Sequence, residues 1–239
     1  MQQNTILFLG KYEGDNAAQV ATRKAVLEAG GAHKVVLNTR WMGPDNLTLY
    51  PGMVSEAAAV VLAPPQEHAP AILSESMLAA LTVVRETGLP FLATGESHGL
   101  VFIEAARSLL GLEHAGSAVF DEAVQDPVIH ELPGATCAMH EVELEIVGDE
   151  LLGPLYADVG RVVEQTDIIS GLNPDYAARL TDVGFRTAAK DRHGGRPYLH
   201  VLEGHPFHVT AAFLPQIRAE PGSPHPLFNG LVAACLGRR

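Results

Sequence analysis

The segment GESHG, residues 95–99, holds the side chains best suited to chemistry. Its spacing matches G-x-S-x-G, in which a sharp strand-to-helix turn raises a nucleophilic serine above a sheet. In a hydrolase of this kind Ser97 would attack, with His98 or one of His205 and His208 as the base. Glu96 would be a nearby acid, and N–H groups at the helix start would stabilise an oxyanion. The same letters also suit a plain glycine-lined turn in which Ser97 caps the following helix.

Histidines crowd the C-terminal third of the chain and raise the question of a metal site. A zinc site needs three or four converging ligands, and neither Cys137 nor Cys235 lies within a few residues of these histidines. We therefore predict structural or surface histidines and no metal. His205 and His208 stand three apart at the start of a predicted strand, so their side chains are expected to face opposite ways. The histidines concerned are His193, His200, His205, His208 and His225.

The amino-acid composition limits the kinds of molecule that this protein is expected to bind. The 239 residues include 28 acidic and 16 basic side chains, a net charge of -12 with histidine neutral, which argues against nucleic-acid and anionic membrane partners. A hydrophobic share of 47% with 18% charged residues is typical of a compact globule. The N-terminus lacks a secretory signal pattern, and no apolar run is long enough to span a membrane. We expect a cytoplasmic protein.

In the first half of the chain, predicted strands and helices alternate and flank this segment. Short, almost wholly apolar runs at residues 5–9, 34–37, 57–63 and 90–94 are predicted strands. Helical patterns follow at residues 16–29, 71–87 and 100–112. Strand–helix alternation with apolar strands predicts an α/β fold with a mostly parallel sheet covered by helices on both faces.

After residue 116 the pattern becomes more antiparallel in style. Residues 137–147 alternate between apolar and polar, as in a strand with one wet face. Further strands are predicted at residues 161–169, 185–189, 198–202 and 207–212, and helices at 173–183 and 226–236. With neither a linker nor a repeat, residues 1–239 are predicted to form one domain. G-x-G-x-x-G does not follow the first strand, so no dinucleotide cofactor is predicted.

Several short phrases resemble the glutamine amidotransferase domain of CTP synthase. They include GKY after the first strand, PFL leading into the elbow, IEAAR within the next helix, and GHPF, FLPQ and PHPLF near the C-terminus. The phrases occur in the family's order along nearly the entire chain. The resemblance implies the three-layer α/β sandwich of class I glutamine amidotransferases, without the synthetase domain. FLPQ is closer to the standalone CTP synthase C-terminal region-related proteins, some of them selenoproteins.

The resemblance also implies that the catalytic residues are absent. The family uses a cysteine at the elbow and the histidine and glutamate of F-H-P-E. Aligned without gaps, these three positions fall on Gly95, Leu214 and Gln216. Glycine offers no nucleophile, leucine cannot accept a proton, and glutamine cannot orient a histidine as a carboxylate does. The standalone relatives keep cysteine or selenocysteine at the elbow, so their chemistry does not carry over either.

The substrate-binding positions of the family are changed as well. Its oxyanion loop P-G-G is replaced by APPQ at residues 63–66, and proline has no N–H to donate. The glutamate that meets the substrate's amino group aligns with Val119, and the basic run before N-P-x-Y falls on QTDII at residues 165–169. An amino acid substrate would therefore find neither of its charge partners.

Two functions remain from the sequence. The first is a degenerate amidotransferase-like protein that binds an unidentified small molecule, or a protein partner as a regulator, in a pocket formed by Gly95, Glu96, Val119, Leu214 and Gln216. The second is a hydrolase of a non-glutamine amide or ester with Ser97 and His98 as its catalytic pair. No cofactor is predicted for either, and the sequence allows a homodimer without requiring one.

Overall fold

A large central sheet carries the elbow. The computed structural model describes residues 4–65, 73–147, 151–157, 160–219 and 222–237. Its nine described strands run in the order β2-β1-β3-β4-β12-β11-β10-β7-β8. The first five are mutually parallel, and the remaining four continue the sheet with antiparallel pairings. This order confirms both the predicted parallel sheet and the more antiparallel second half. The strands are β1 Thr5–Leu9, β2 Asn38–Met42, β3 Ala59–Leu62, β4 Phe91–Thr94, β7 His140–Ile146, β8 Arg161–Thr166, β10 Phe185–Asp191, β11 Pro197–Leu202 and β12 His208–Ala211.

A second, three-stranded sheet lies beside the large one and was not foreseen as a sheet. Its order is β5-β6-β9, with β5–β6 parallel and β6–β9 antiparallel. Its strands are β5 Ala115–Ser117, β6 Asp126–Glu131 and β9 Ser170–Leu172. Two of the three strands have only three residues, too few for an alternating pattern to identify.

Helices cover both faces of the large sheet, as predicted. They are α1 Ala17–Ala32, α2 Pro44–Leu49, α3 Glu75–Thr87, α4 His98–Leu109, α5 Leu152–Leu155, α6 Pro174–Asp182 and α7 Pro226–Gly237. Ile6 and Phe8 of β1 belong to the core under α1 and α7. Leu7 belongs to the opposite core, under α3 and α4, because side chains alternate along a strand. The observed architecture is the α/β sandwich that the sequence predicted.

One predicted strand was wrong. Residues 34–37 were expected to form the second strand, but β2 begins only at Asn38. The preceding backbone closes the end of α1: Lys34 N–H donates to Gly31 and Val35 N–H to Gly30, with Lys34 in the left-handed region at φ 56°. Val36 is largely exposed, at 82%, so the apolar run is a connection and not a buried strand.

Other elements agree with the sequence apart from their ends. β1 matches its predicted bounds, and α1 begins after Asn16, whose side chain accepts the Gln19 N–H as a cap. The predicted helix 71–87 is shorter, since α3 starts after its capping residue Ser74, and residues 71–72 lie outside the described residues. The predicted helix 100–112 is α4, which begins two residues earlier at His98. None of the described helices combines the length and apolar composition that a membrane span requires.

Candidate functional site

The elbow forms where β4 ends, beside its parallel neighbours β3 and β12. The chain makes one 3₁₀ turn at Gly95–Ser97 and enters α4. Gly95 is in the left-handed region at φ 63°, and its N–H donates to the Phe213 carbonyl at 2.8 Å. Glycine adopts this backbone at little cost, whereas other residues are strained there. The apex of the turn is thus at Gly95 and not at Ser97, whose φ is -66°.

Leu214 and Pro64 fill the space next to Gly95. Both residues follow strands, β12 and β3, that flank β4 in the sheet, so their loops converge at the same edge. A Cβ atom placed on Gly95 would lie 2.7 Å from Leu214 Cδ2 and 3.3 Å from Pro64 Cβ. Contacts this short require the neighbours to shift. The geometry leaves little room at this apex for any side chain.

Gln216 lies in the 3₁₀ turn Pro215–Arg218 and is buried, with 3% of its surface exposed. Neither its side-chain nitrogen nor its side-chain oxygen has a hydrogen-bond partner among the described residues. A buried amide without partners is costly, so this position is not explained by packing alone.

Ser97 directs its hydroxyl into the backbone. Its Oγ lies 2.8 Å from the Thr94 carbonyl and 3.1 Å from the Leu62 carbonyl, and the residue is 2% exposed. It stands at the N-cap position of α4 without making a side-chain cap bond, so the predicted capping role was wrong. The hydroxyl instead holds β3 and β4 to the elbow, because both carbonyls belong to those strands.

His98 is buried in the first turn of α4. Its Nδ1 lies 2.9 Å from the Gly95 carbonyl, so Nδ1 carries the proton of the neutral ring. Its Nε2 is buried and unbonded among the described residues. Burial lowers the pKa of His98, opposed in part by the charge of Glu96. Among the described hydrogen bonds none joins His98 to Ser97, so the two candidates for a catalytic pair lie side by side without the bond that catalysis needs.

Glu96 lies between the two sheets. Its Oε2 accepts the Ile169 N–H at 3.1 Å, while Oε1 is buried without a described partner. Ile169 belongs to the QTDII stretch that precedes β9. The bond therefore ties the elbow to the connection between the large and small sheets.

A small pocket opens beside the elbow, with about 30 Å³ of free space. Glu96 and Ser97 line it on the elbow side, and β5, β6 and the start of β9 line it on the other. Gly95, Leu214, Gln216 and Val119 are not among its lining residues; Val119 is half-buried and its N–H donates to Ser117 Oγ at 3.3 Å. The lining residues are Pro65, Leu73, Glu96, Ser97, Gly99, Leu100, Ile103, Ser117, Phe120, Ile129 and Ser170.

Sequence reasoning missed the small-sheet side of this pocket. Ser117, Ile129 and Ser170 come from three strands that are distant in sequence. A phrase-by-phrase reading had no signal to bring them together. The family resemblance gave two hints that this part of the chain meets the elbow, since it aligned Val119, just after β5, and QTDII, just before β9, with substrate-binding positions.

The remaining histidines are structural or exposed, as predicted. His225 Nε2 contacts Glu164 Oε1 at 2.9 Å inside the protein, and His193 lies exposed in the β10–β11 turn. The expectation that His205 and His208 face apart was wrong: their rings lie 5.2 Å apart, because His205 precedes β12 and is not part of the strand. Within the described residues, no three His, Cys, Asp or Glu side chains converge as a metal site.

Two buried histidines lie behind the elbow. Burial lowers the pKa of His200 to about 3, with nearby His98 contributing. Burial likewise lowers the pKa of His208 to about 3, with His205 contributing. Both rings are therefore neutral at neutral pH. His200 packs edge-on against Phe102 at 4.9 Å, which makes it part of the core that supports α4.

Comparisons with known proteins agree with this architecture. No protein-family model matches the chain. The CTP synthase of Methanopyrus kandleri is 30% identical over 98% of this chain, which spans only 45% of that enzyme. The glutaminase domain of the Trypanosoma brucei enzyme, solved with bound acivicin, superposes with a TM-score of 0.88 over 98% of this chain and 94% of that one, at 18% identity.

A more distant structure shares the fold. A glutamine amidotransferase from Methylobacillus flagellatus superposes with a TM-score of 0.57 at 10% identity, over 92% of this chain and 72% of that one. The chain is therefore similar in sequence to the CTP synthases over about 45% of their length, and it has the fold of a class I glutamine amidotransferase domain.

Proposed function

We propose that this chain is a CTP synthase-type glutamine amidotransferase-like protein that has lost glutaminase activity and binds a small molecule beside its elbow. The observation that carries the proposal is the contact between Gly95 and Leu214. A nucleophile needs a side chain at the apex and a base next to it. Here the apex has no side chain, and a leucine methyl group occupies the adjacent space.

The surrounding positions support the same proposal. Pro64 and Pro65 lack the N–H groups that would stabilise an oxyanion from the β3 side. Gln216 has an amide where the family resemblance places a carboxylate. The scaffold is nevertheless retained, with the elbow, the flanking strands and a pocket all in place. A pocket that is kept without its catalytic groups favours binding over catalysis. The protein would bind a metabolite in this pocket, or it would bind another protein as a regulatory partner.

The binding role can be tested by screening small molecules for an increase in melting temperature. Gly99→Ala is the informative variant, because its added Cβ would lie 3.2 Å from Ile129 Cγ1 in the pocket wall. Gly31→Ala, also a helical glycine, has no atom within 4 Å of the added Cβ and is the control. Stabilisation lost in Gly99→Ala and kept in Gly31→Ala supports binding at the elbow. Ligands that stabilise both variants equally would place binding elsewhere.

The second candidate is a hydrolase in which Ser97 attacks a non-glutamine amide or ester. The G-x-S-x-G spacing favours it, and the buried hydroxyl bonded to two carbonyls weighs against it. The discriminating experiment compares the wild type with Ser97→Ala across a panel of small amides and esters. Activity that disappears in Ser97→Ala would establish the hydrolase. Activity that the variant keeps, or its absence in both proteins, rejects it.

A further inference from the structure

The pocket beside the elbow has a charge that suits one class of ligand. We infer that it binds the ammonium group of a small primary amine through the carboxylate of Glu96. The inference rests on ligand binding as proposed above and names the class of ligand. Glu96 lines the pocket, and among its described lining residues it is the one ionisable side chain.

The carboxylate of Glu96 is incompletely satisfied. Oε2 accepts one backbone N–H, and Oε1 is buried with no described partner. Among the described residues, no Lys or Arg lies within ion-pair distance of it. His98 supplies no positive charge at neutral pH, because burial lowers its pKa. A carboxylate with a single described donor is costly, and an ammonium group in the pocket that Glu96 lines would supply further N–H donors.

The walls of the pocket suit an alkyl stem. Leu100 and Ile103 of α4, together with Ile129 of β6, present apolar surface next to Glu96. The inner space of about 30 Å³ has room for an ammonium group and little more. An adjoining outer cleft of about 300 Å³ shares Leu73, Ser117 and Phe120 with it and would hold the rest of the ligand.

The charge around the entrance favours a cation over an anion or an amino acid. Glu113 and Asp121 line the outer cleft, and the cleft's Arg107 is already paired with Glu75 at 3.1 Å. The chain as a whole has a net charge of -12, which also attracts cations. A carboxylate ligand would be repelled by Glu96, because no described residue of the inner pocket supplies a positive charge.

Calorimetric titration with n-butylamine, 1-butanol and butyrate tests the inference, since the three probes share a stem and differ in their charge. We expect n-butylamine to bind at least tenfold more tightly than the alcohol, and butyrate not to bind. Glu96→Gln should reduce amine affinity at least tenfold and abolish the preference for amine over alcohol. Glu56→Gln, which removes an exposed carboxylate before β3, should leave amine binding unchanged and controls for overall charge.

The outcomes separate this inference from the broader proposal. If the alcohol binds as tightly as the amine, or if Glu96→Gln keeps full amine affinity, the amine assignment is wrong while a binding pocket at the elbow stands. If none of the three probes binds, the amine assignment also falls, and binding at the elbow is judged by the wider screen with Gly99→Ala. Circular dichroism of Glu96→Gln establishes that the variant is folded.

Discussion

At the residue scale, the proposed loss of glutaminase activity rests on how closely Leu214 packs beside Gly95. Two separate features make a side chain at position 95 energetically unfavourable: the backbone is left-handed, and Leu214 Cδ2 would lie 2.7 Å from the added Cβ. The first acts at many glycines, whereas among the described glycines with a positive φ only Gly95 also has a neighbour closer than 3.0 Å. Each can be measured, because the chain contains a glycine that has the first property without the second.

We predict that Gly95→Ala lowers the free energy of unfolding by about 2–4 kcal/mol, the sum of left-handed strain and overpacking. Gly88→Ala is the matched control: its φ is 64°, but its nearest neighbour would be 3.6 Å away, so a loss of about 1–2 kcal/mol is expected. Urea denaturation of both variants gives the comparison. Equal losses in the two would refute the filled elbow.

A double variant isolates the contact itself. With Leu214→Ala in the background, Gly95→Ala should cost no more than Gly88→Ala does, because the leucine methyl group is gone. The coupling between the two sites should then be about 1–2 kcal/mol in a double-mutant cycle. Additive effects would mean that Leu214 does not press on position 95.

At the element scale, the elbow depends on how α4 is fixed to α3. The side chain of Glu104, buried in α4, receives two N–H groups of Arg85 at 3.0 and 3.3 Å and the hydroxyl of Thr82 at 2.9 Å. These bonds join the helix that starts at the elbow to its neighbour on the same face of the sheet. A buried ion pair of this kind is expensive to break from one side only.

Glu104→Gln should therefore lower the free energy of unfolding by about 3 kcal/mol. The control is Glu203→Gln, which breaks the ion pair with Arg186 at the surface and should cost less than about 1 kcal/mol. Guanidinium chloride titrations measure both. A Glu104→Gln variant as stable as Glu203→Gln would show that this pair does not hold α4 in place.

Two buried histidines on the strands behind the elbow should make the fold less stable in acid. The pKa values of His200 on β11 and His208 on β12 are about 3 in the folded chain against an ordinary 6.5, so the unfolded chain binds protons first as pH falls. Their contribution is complete above pH 6.5 and is lost between there and pH 3, at about 1.4 kcal/mol per pH unit for each ring.

Measuring unfolding between pH 6 and 5 separates this effect from most carboxylate titration. The wild type should lose stability over this interval, and His208→Phe should lose about 1 kcal/mol less than the wild type does. A variant with the same slope as the wild type would show that His208 is protonated in the folded state. His225, which is paired with Glu164, stays intact in both proteins and does not affect the comparison.

The fold could be predicted from the sequence more fully than the site. The apolar runs of β1, β3 and β4 and the helical patterns of α1, α3 and α4 predicted the parallel half, because strands buried on both faces are apolar at nearly every position. The run at residues 34–37 misled, since apolar residues alone do not distinguish a buried strand from a connection. The direction of the Ser97 hydroxyl and the contact of Leu214 with Gly95 depend on loops brought together by the sheet, which spacing does not encode.

At the scale of the whole molecule, loops from β3, β4 and β12 meet at the carboxyl edge of three adjacent parallel strands. Ligands bind at this edge in open α/β sheets generally. In this chain the edge is closed directly above β4, by Leu214 and Pro64, and open to one side, toward the small sheet. Under the proposed function, this open side is where the ligand binds.

The most direct test of the central claim is release of ammonia from glutamine by the purified wild-type chain. An active CTP synthase serves as the positive control, and amide-labelled glutamine followed by nitrogen NMR at high protein concentration gives the sensitivity. We predict that the amide signal decays no faster than it does in buffer alone. Ammonium formed faster than in buffer, in proportion to the protein added, would contradict it and show that this elbow still supports glutamine hydrolysis.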